Sequence, residues 1–400
     1  MRSQETRGGG CLGCVTVLAL LIACVIGLAH VMGPTPTGKT IQAYTERTLE
    51  EIGVTEPRTH DANVYGHAWY QLDEAGQRAY QVLLEGVTNH DESIVVIDAT
   101  PADVESAYSA MMNDHPELFW LDGSFSYITP DLFDSVTVQP GLEVDLSEIP
   151  VLTASIEAEA DAILGAVGEG ASQYDIVRHV YEHIASHTDY VVDSPHNQTI
   201  QSVFLNHESV CAGYARAFQY LLHRAGIECA YVEGIIDSSG EDHAWNLVNI
   251  DGQYAYVDPT WADPTYAGEN AEAAADDVIY DYLCLTTDEI RKDDHTFSNL
   301  EEWPPCNSID LDYFRREGLF FDTYDEGALG EAFWRQAESD KNQAMFKFGN
   351  DEAYAQALEA LSVGNFQRAN LLALASNRGA DTIRYSFSTS DGLRIIKLYW

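Results

Sequence analysis

The sequence predicts an α+β fold with smaller α+β flanking regions and an N-terminal transmembrane helix. Three observations carry that expectation. Between about 150 and 260, runs with helical spacing come first and strand-like runs follow. Asp-Gly pairs at 122–123, 251–252 and 391–392 each split strand-like runs and so signal antiparallel hairpins. Leu12 to Met32 is almost continuously apolar, and at about 1.5 Å rise per residue it spans roughly 31 Å, the thickness of a bilayer core.

In chain order, residues 1–10 read as a cytoplasmic tail, 11–33 as the anchor and 34–56 as a linker opened by the breaker-rich Gly33-Pro-Thr-Pro-Thr-Gly38. Arg2 and Arg7 keep the tail cytoplasmic by the positive-inside rule. Leu21-Ile22-Ala23-Cys24 resembles a lipobox and Gly27-Leu28-Ala29 a cleavage site, so lipoprotein and secreted forms stand as alternatives. All three readings export the remaining chain. Of its 400 residues 64 are acidic and 21 basic, a net charge of −43. That balance argues against a nucleic-acid partner and against a polybasic lipid-docking patch. With 46% hydrophobic residues the chain has ample material for a core.

A first region, 57–140, carries helical spacing over Tyr70–Gly86, a buried strand at Ser93–Asp98 and a helix over Pro101–Met112. Glu117–Leu121 and Ser124–Ile128 then read as a hairpin around Asp122-Gly123. Within 141–300, helices are expected over Leu152–Val167 and Tyr174–Ser186, the second opened by a Ser172/Asp175 capping box. A third helix starts near Cys211, shows an apolar face at Phe218, Leu221 and Leu222, and stops at Gly226. Cys229–Ile235, His243–Ile250 and Gln253–Asp258 follow as strands. The 301–400 region mixes helices at Glu352–Leu361 and Asn365–Ala375 with a closing hairpin, Arg384–Ser388 and Leu393–Tyr399.

The chemistry points to Cys211, His243 and Asp258. At a helix start Cys211 meets free N–H groups and the positive end of the dipole, both of which favour a thiolate. A two-residue turn at Asp251-Gly252 pairs Ile250 with Gln253, so Trp245 faces Asp258 and His243 faces Thr260. His243 and Asp258 then lie diagonally on one face, within side-chain reach of each other. A one-residue slip would separate them.

Val210-Cys-Ala-Gly-Tyr-Ala-Arg-Ala-Phe218, Ala225-Gly-Ile227, His243-Ala-Trp-Asn246 and Tyr256-Val-Asp-Pro-Thr-Trp-Ala-Asp263 resemble the transglutaminase-like superfamily, most of all its bacterial membrane-anchored surface members. Asn113-Asp-His-Pro-Glu-Leu-Phe-Trp120 resembles, more loosely, the N-terminal region of such proteins. The resemblance implies a papain-like core in which the cysteine helix packs on an antiparallel sheet. It assigns Cys211 as nucleophile, His243 as base and Asp258 as orienting carboxylate, with no cofactor and no metal. It further implies a protein or peptide substrate at the cell surface, with the acyl group passing to an amine or to water. A cysteine peptidase or amidase of surface peptides and a silent peptide-binding module are the alternatives. A second oxyanion donor is expected upstream, where Gln198 and Gln201 are available although surface glutamines are common, and Trp245 and Trp261 stand either as walls of the acyl site or as core packing.

Three further features are weighed and set lower. His179, His183 and His187 share a helix face, and His179-Val-Tyr-Glu-His183 matches a short inverted zinc pattern, yet a packed or solvated face is the expectation there. A Cys284–Cys306 bridge is open if the compartment is oxidising. Asn197-Gln-Thr199 is a glycosylation sequon.

Overall fold

The computed structural model describes residues 3–5, 66–129, 135–263, 278–298, 303–338, 342–362, 370–371, 373–375, 377, 381 and 384–400. The expected anchor at 11–33, the 34–56 linker and most of the 1–10 tail and of the Asn365–Ala375 helix lie outside these residues. Among the described residues no helix is long and apolar enough to cross a membrane. The chain divides into two compact units, 1–154 and 155–400, the second holding both the cysteine helix and the C-terminal region.

In the first unit the helix Glu74–Thr88 starts at Asp73, whose carboxylate accepts the Gly76 N–H at 2.8 Å, and it buries Ala79, Tyr80, Leu83 and Val87. Pro101–Asp114 is capped by a reciprocal Thr100/Asp103 box. Three antiparallel strands lie in the order Ile94–Ile97, Ser135–Leu142, Leu121–Ile128, and Ser3–Glu5 runs parallel beside the last. Two expectations need correction. Ile94–Ile97 is an edge strand, with alternate residues buried. Asp122-Gly123 is not a hairpin turn: it forms an irregularity inside the single strand Leu121–Ile128, whose partner is Ser135–Leu142. Gly123 takes the left-handed φ of 78° there, and Asp122 caps Ser124 N at 2.7 Å, so the two residues bend the strand without reversing it.

In the second unit Ser172 and Asp175 cap Gln173–His187 reciprocally, as expected. The cysteine helix runs Cys211–Arg224 and ends before Gly226, whose φ is 73°. Beside it stands a fully antiparallel sheet in the order Leu283–Leu285, Gln253–Val257, Glu241–Ile250, Cys229–Ile236, His295–Phe297. Ala215 of the helix packs with Tyr231 and Ala244 of the sheet, and Cys211 sits against that cluster. Asn246 donates its amide to the Ala215 carbonyl at 3.0 Å, tying the histidine strand to the middle of the cysteine helix. This is the α+β, papain-like arrangement.

The C-terminal part adds a second sheet, ordered Phe320–Phe321, Gln343–Phe348, Ile395–Tyr399, Ser386–Ser390, with helices Glu326–Ala337 and Asp351–Ser362. Its closing hairpin forms with a longer turn than two residues: Ser390 pairs with Ile395, and Arg394 takes the positive φ of 56°. Gly392 stays a glycine for closeness, since a Cβ there would come within 2.8 Å of the Lys292 carbonyl. Cys284 and Cys306 are both free and buried, so the bridge left open by the sequence is not made.

Candidate active site

The local sequence puts each of the three groups in place. Val210 precedes the cysteine helix in extended conformation and offers no capping side chain, so the first-turn N–H groups around Cys211 are not claimed by one. The 197–209 segment lies close against that helix start because residue 213 is glycine: a Cβ there would meet Ser209 Oγ at 2.0 Å and the Asn197 carbonyl at 2.9 Å. Asp251 and Gly252 have φ of 51° and 85°, both positive as a type I′ turn requires. The ladder runs from Ile250–Gln253 to Asn246–Val257. The expected register therefore holds, and it delivers His243 to Asp258.

His243 Nε2 is 2.7 Å from Asp258 Oδ2, and both side chains are buried. Asp258 Oδ1 accepts the N–H groups of Thr260 at 2.9 Å and Trp261 at 3.3 Å, which fixes the carboxylate rotamer. With Nε2 committed to Asp258, Nδ1 is the ring nitrogen left for the half-buried Cys211 thiol, with which His243 is hydrogen-bonded. Burial works against the imidazolium, but the Asp258 charge and hydrogen bond outweigh it, with Cys211 adding to them, and His243 is pushed up to about 10. Burial likewise opposes the Asp258 carboxylate, and His243 together with His295 holds it well below the usual carboxylate range. The arrangement favours a buried imidazolium–carboxylate pair beside Cys211.

His295 is the residue sequence reasoning missed. It comes from the edge strand His295–Phe297, with Nε2 3.2 Å from the same Asp258 Oδ2 and Nδ1 2.7 Å from the Asp293 carbonyl. Nothing in the spacing of Asp293-Asp294-His295 signals this; only the strand order does. The ligand-type atoms of His243, Asp258 and His295 lie within 4.8 Å of one another. Two of them are only 2.7 Å apart, whereas tetrahedral donors around zinc at about 2.0–2.1 Å stand roughly 3.3 Å apart. The trio is a hydrogen-bond network in this structure.

The remaining expected site residues divide. Trp261 is half-buried and its ring lies 5.9 Å from that of His243, beside the triad. Trp245 is fully buried; it packs behind His243 against His295 and Phe297 and offers no surface to a substrate. Gln201 is buried, with Oε1 lacking a hydrogen-bond partner, whereas Gln198 is exposed and donates to Asn197 Oδ1 at 3.2 Å. His179 Nε2 is set on the Ile163 carbonyl at 2.9 Å and His187 Nδ1 on the His183 carbonyl at 3.0 Å. Glu182 of the inverted zinc pattern is taken by Arg178 and by the Tyr280 hydroxyl, both at 2.7 Å. This histidine row is thus spent on helix contacts, and burial beside His187 and His179 holds His183 down to about 4.

Fold and site together define a thiol-triad scaffold: a cysteine at a helix start, faced by a histidine and an aspartate from adjacent strands. Residues 162–259 match the family model described as the transglutaminase-like superfamily, and that stretch contains all three groups. Residues 162–259 thus form a transglutaminase-like core. The chain is 28% identical over 135 residues to the kyphoscoliosis peptidase of Mus musculus, covering 30% of this chain and 20% of that protein. The Homo sapiens protein of that name is 29% identical over 108 residues, covering 23% and 16%. The chain thus spans about a fifth or less of the length of these curated relatives. Among solved structures, it is similar to a TGase (14% identity, 34% of this chain and 44% of that one, TM-score 0.26). It is also similar to the periplasmic domain of TgpA from Pseudomonas aeruginosa bound to ethylmercury (19% identity, 34% and 58%, TM-score 0.23).

The ion pair sets a pH dependence of stability. A histidine raised from an ordinary value of about 6.5 to about 10 contributes stability that is complete below 6.5 and is lost as pH climbs towards 10. The lowered Asp258 contributes stability that is present above about 3.9 and lost on acidification. The melting-temperature advantage of wild type over Asp258→Asn is therefore expected to shrink between pH 6.5 and 10. An advantage that stays flat or grows over that window rules out the ion pair.

Proposed function

We propose that this chain is a thiol enzyme acting on amide bonds of proteins or peptides through Cys211, His243 and Asp258. The observation that supports it most is His243 held between the Asp258 carboxylate at 2.7 Å and the Cys211 thiol. The Cys211 sulfur, its proton held by His243 Nδ1 in the imidazolium, attacks the carbonyl carbon of a glutamine carboxamide or peptide bond. The carbonyl oxygen becomes an oxyanion, for which the uncapped first-turn N–H groups of the cysteine helix are the donors at hand. Collapse expels ammonia or an amine, protonated by His243, and leaves a thioester on Cys211. His243 then takes a proton from an incoming amine or water, which attacks the thioester and frees the thiol. Asp258 keeps the imidazole in the tautomer and orientation both half-reactions need.

Transfer to an amine gives a crosslink and transfer to water gives hydrolysis; the chemistry up to the thioester is common to both. The curated relatives are named peptidases, which favours hydrolysis as the second reading. The test is to offer the full chain a fluorescent amine with a glutamine-bearing protein and, separately, unlabelled peptides. Cys211-dependent labelling supports acyl transfer, and Cys211-dependent cleavage supports the peptidase reading. Neither product above the level of Cys211→Ala overturns both.

We further propose that Leu12–Met32 anchors the chain with its C-terminal part outside the cytoplasm. That arrangement puts Ser3–Glu5 across the membrane from Leu121–Ile128, beside which the strand otherwise pairs, so the two are mutually exclusive. Protease protection of an N-terminal tag in sealed cells, with the rest of the chain digested, is the outcome the anchor requires.

A further inference from the structure

We propose that His295 is a positioning residue of the Cys211–His243–Asp258 site, placed to share with His243 the one Asp258 oxygen that orients the base. The inference rests on the reading of that site as a thiol–imidazole catalyst. The ring is fully buried, packed 4.6 Å from Trp261 and 5.0 Å from Trp245 between centroids. A leucine or phenylalanine would fill such an aromatic box without the cost of desolvating two ring nitrogens. Both nitrogens instead face acceptors: Nδ1 the Asp293 carbonyl at 2.7 Å, Nε2 the Asp258 carboxylate at 3.2 Å. A carbonyl can only accept, so the Asp293 contact calls for a hydrogen on Nδ1, while Nε2 stands at hydrogen-bond distance from Oδ2.

The consequence for His243 is mechanical and electrostatic. Asp258 is held at Oδ1 by two backbone N–H groups and at Oδ2 by two imidazoles, leaving it no freedom to rotate away as the base changes charge. Sharing Oδ2 also spreads the carboxylate charge over two rings, so His243 receives less of it than it would alone. The anchor of this second ring is itself supported. The Asp293 side chain meets Ser390 Oγ at 3.3 Å, and a Cβ on Gly392 would come within 2.9 Å of it, so the C-terminal hairpin packs against the residue whose carbonyl fixes His295. The titratable groups around His295 are Asp258, His243, Asp293 and Tyr282. Burial pushes Tyr282 far up and raises Asp293, which leaves the His243–Asp258 pair as the charged couple that His295 faces.

The test is the pH profile of Cys211 alkylation by iodoacetamide in the full chain, for wild type, His243→Ala, His295→Leu and His295→Gln, with melting temperatures alongside. His295→Leu is expected to lower the maximal rate about tenfold, the size of effect typical of outer-shell partners. It should also move the alkaline limb of the profile to higher pH, because Oδ2 then serves His243 alone. His295→Gln keeps an N–H donor and is expected to restore most of the rate and the position of the limb. Wild type and His243→Ala behaving alike would sink the catalytic reading itself. A slow His243→Ala with a wild-type-like His295→Leu would overturn this proposal alone. So would Leu and Gln variants equally slow in proportion to lost melting temperature, which is what packing predicts. Should His295→Leu fail to fold, nitrogen-15 histidine spectra of wild type decide: His295 must show a hydrogen on Nε2 while Asp258 is ionised, and its absence overturns the proposal.

Discussion

Replacing His243 by alanine is expected to cut Cys211-dependent acyl transfer by about 10²–10⁴-fold, the usual worth of a positioned acid–base group. The fold should survive, because Trp245 and the ladder to Gly234 and Val257 are untouched. Two physical roles end together in this variant. The thiol loses the acceptor for its proton, and the leaving amine loses its donor. Asp258 meanwhile loses one of the two rings that hold it in the charged form, in a site where it is fully buried. Its retained partners, His295 and the N–H groups of Thr260 and Trp261, keep it from becoming an orphan charge. The rate loss is measured as time-resolved amine incorporation or peptide cleavage, whichever product Cys211 forms. A variant that keeps more than about a tenth of wild-type rate would fall outside the general-base range and move the base role away from His243.

Much of this site was legible because it is local. A turn that needs positive φ at both central residues is announced by Asp251-Gly252, and strand periodicity carries the register outward from it to the diagonal pair. The helix start at Cys211 is equally local, set by a small-residue first turn and the apolar face behind it. What was illegible is what strand order decides. His295 reaches Asp258 from 37 residues downstream because its strand adds to the far edge of the sheet, beside Cys229–Ile236. That same strand covers Trp245, so a residue correctly placed on the His243 face proves to be core. Asp122-Gly123 misled for a related reason: the pair fits a turn in isolation, but Leu121–Ile128 found its partner at Ser135–Leu142 and kept the glycine as a bend within the strand.

Lys347→Met is expected to produce the largest loss of stability, about 3–5 kcal/mol, the range for removing one partner of a buried ionic group. Lys347 sits in the fully buried strand Gln343–Phe348, with its own side chain 1% exposed. Its ammonium lies 2.6 Å from Asp312 Oδ2 and 2.8 Å from Glu289 Oε1. Burial opposes the charged amine, and the two carboxylates outweigh that, holding Lys347 above its ordinary value. Glu289, though burial pushes it up, is held low by Lys347 and by the Thr286 N–H and hydroxyl it caps. Methionine fills the volume and removes the charge, leaving two buried carboxylates facing each other. For a unit of this size, the loss corresponds to a melting temperature lower by roughly ten degrees. The sign of the pH response then reverses. In wild type the lowered Glu289 contributes stability that is present above about 4.3 and lost on acidification. In the variant Glu289 joins Asp312, which burial already raises in wild type, so acidification protonates both and narrows the gap to wild type. Adding Asp312→Asn to Lys347→Met should recover part of the loss at neutral pH, a coupling that a double-mutant cycle reads directly. The effect reaches the active site as well. Glu289 caps the helix Thr287–Lys292, and that helix hands the chain to Asp293 and His295. Melting curves of wild type and Lys347→Met that coincide within about one degree at pH 7 would show the pair to be energetically idle. A depressed melting temperature together with slowed Cys211 alkylation would instead show that the C-terminal sheet supports the geometry of the triad.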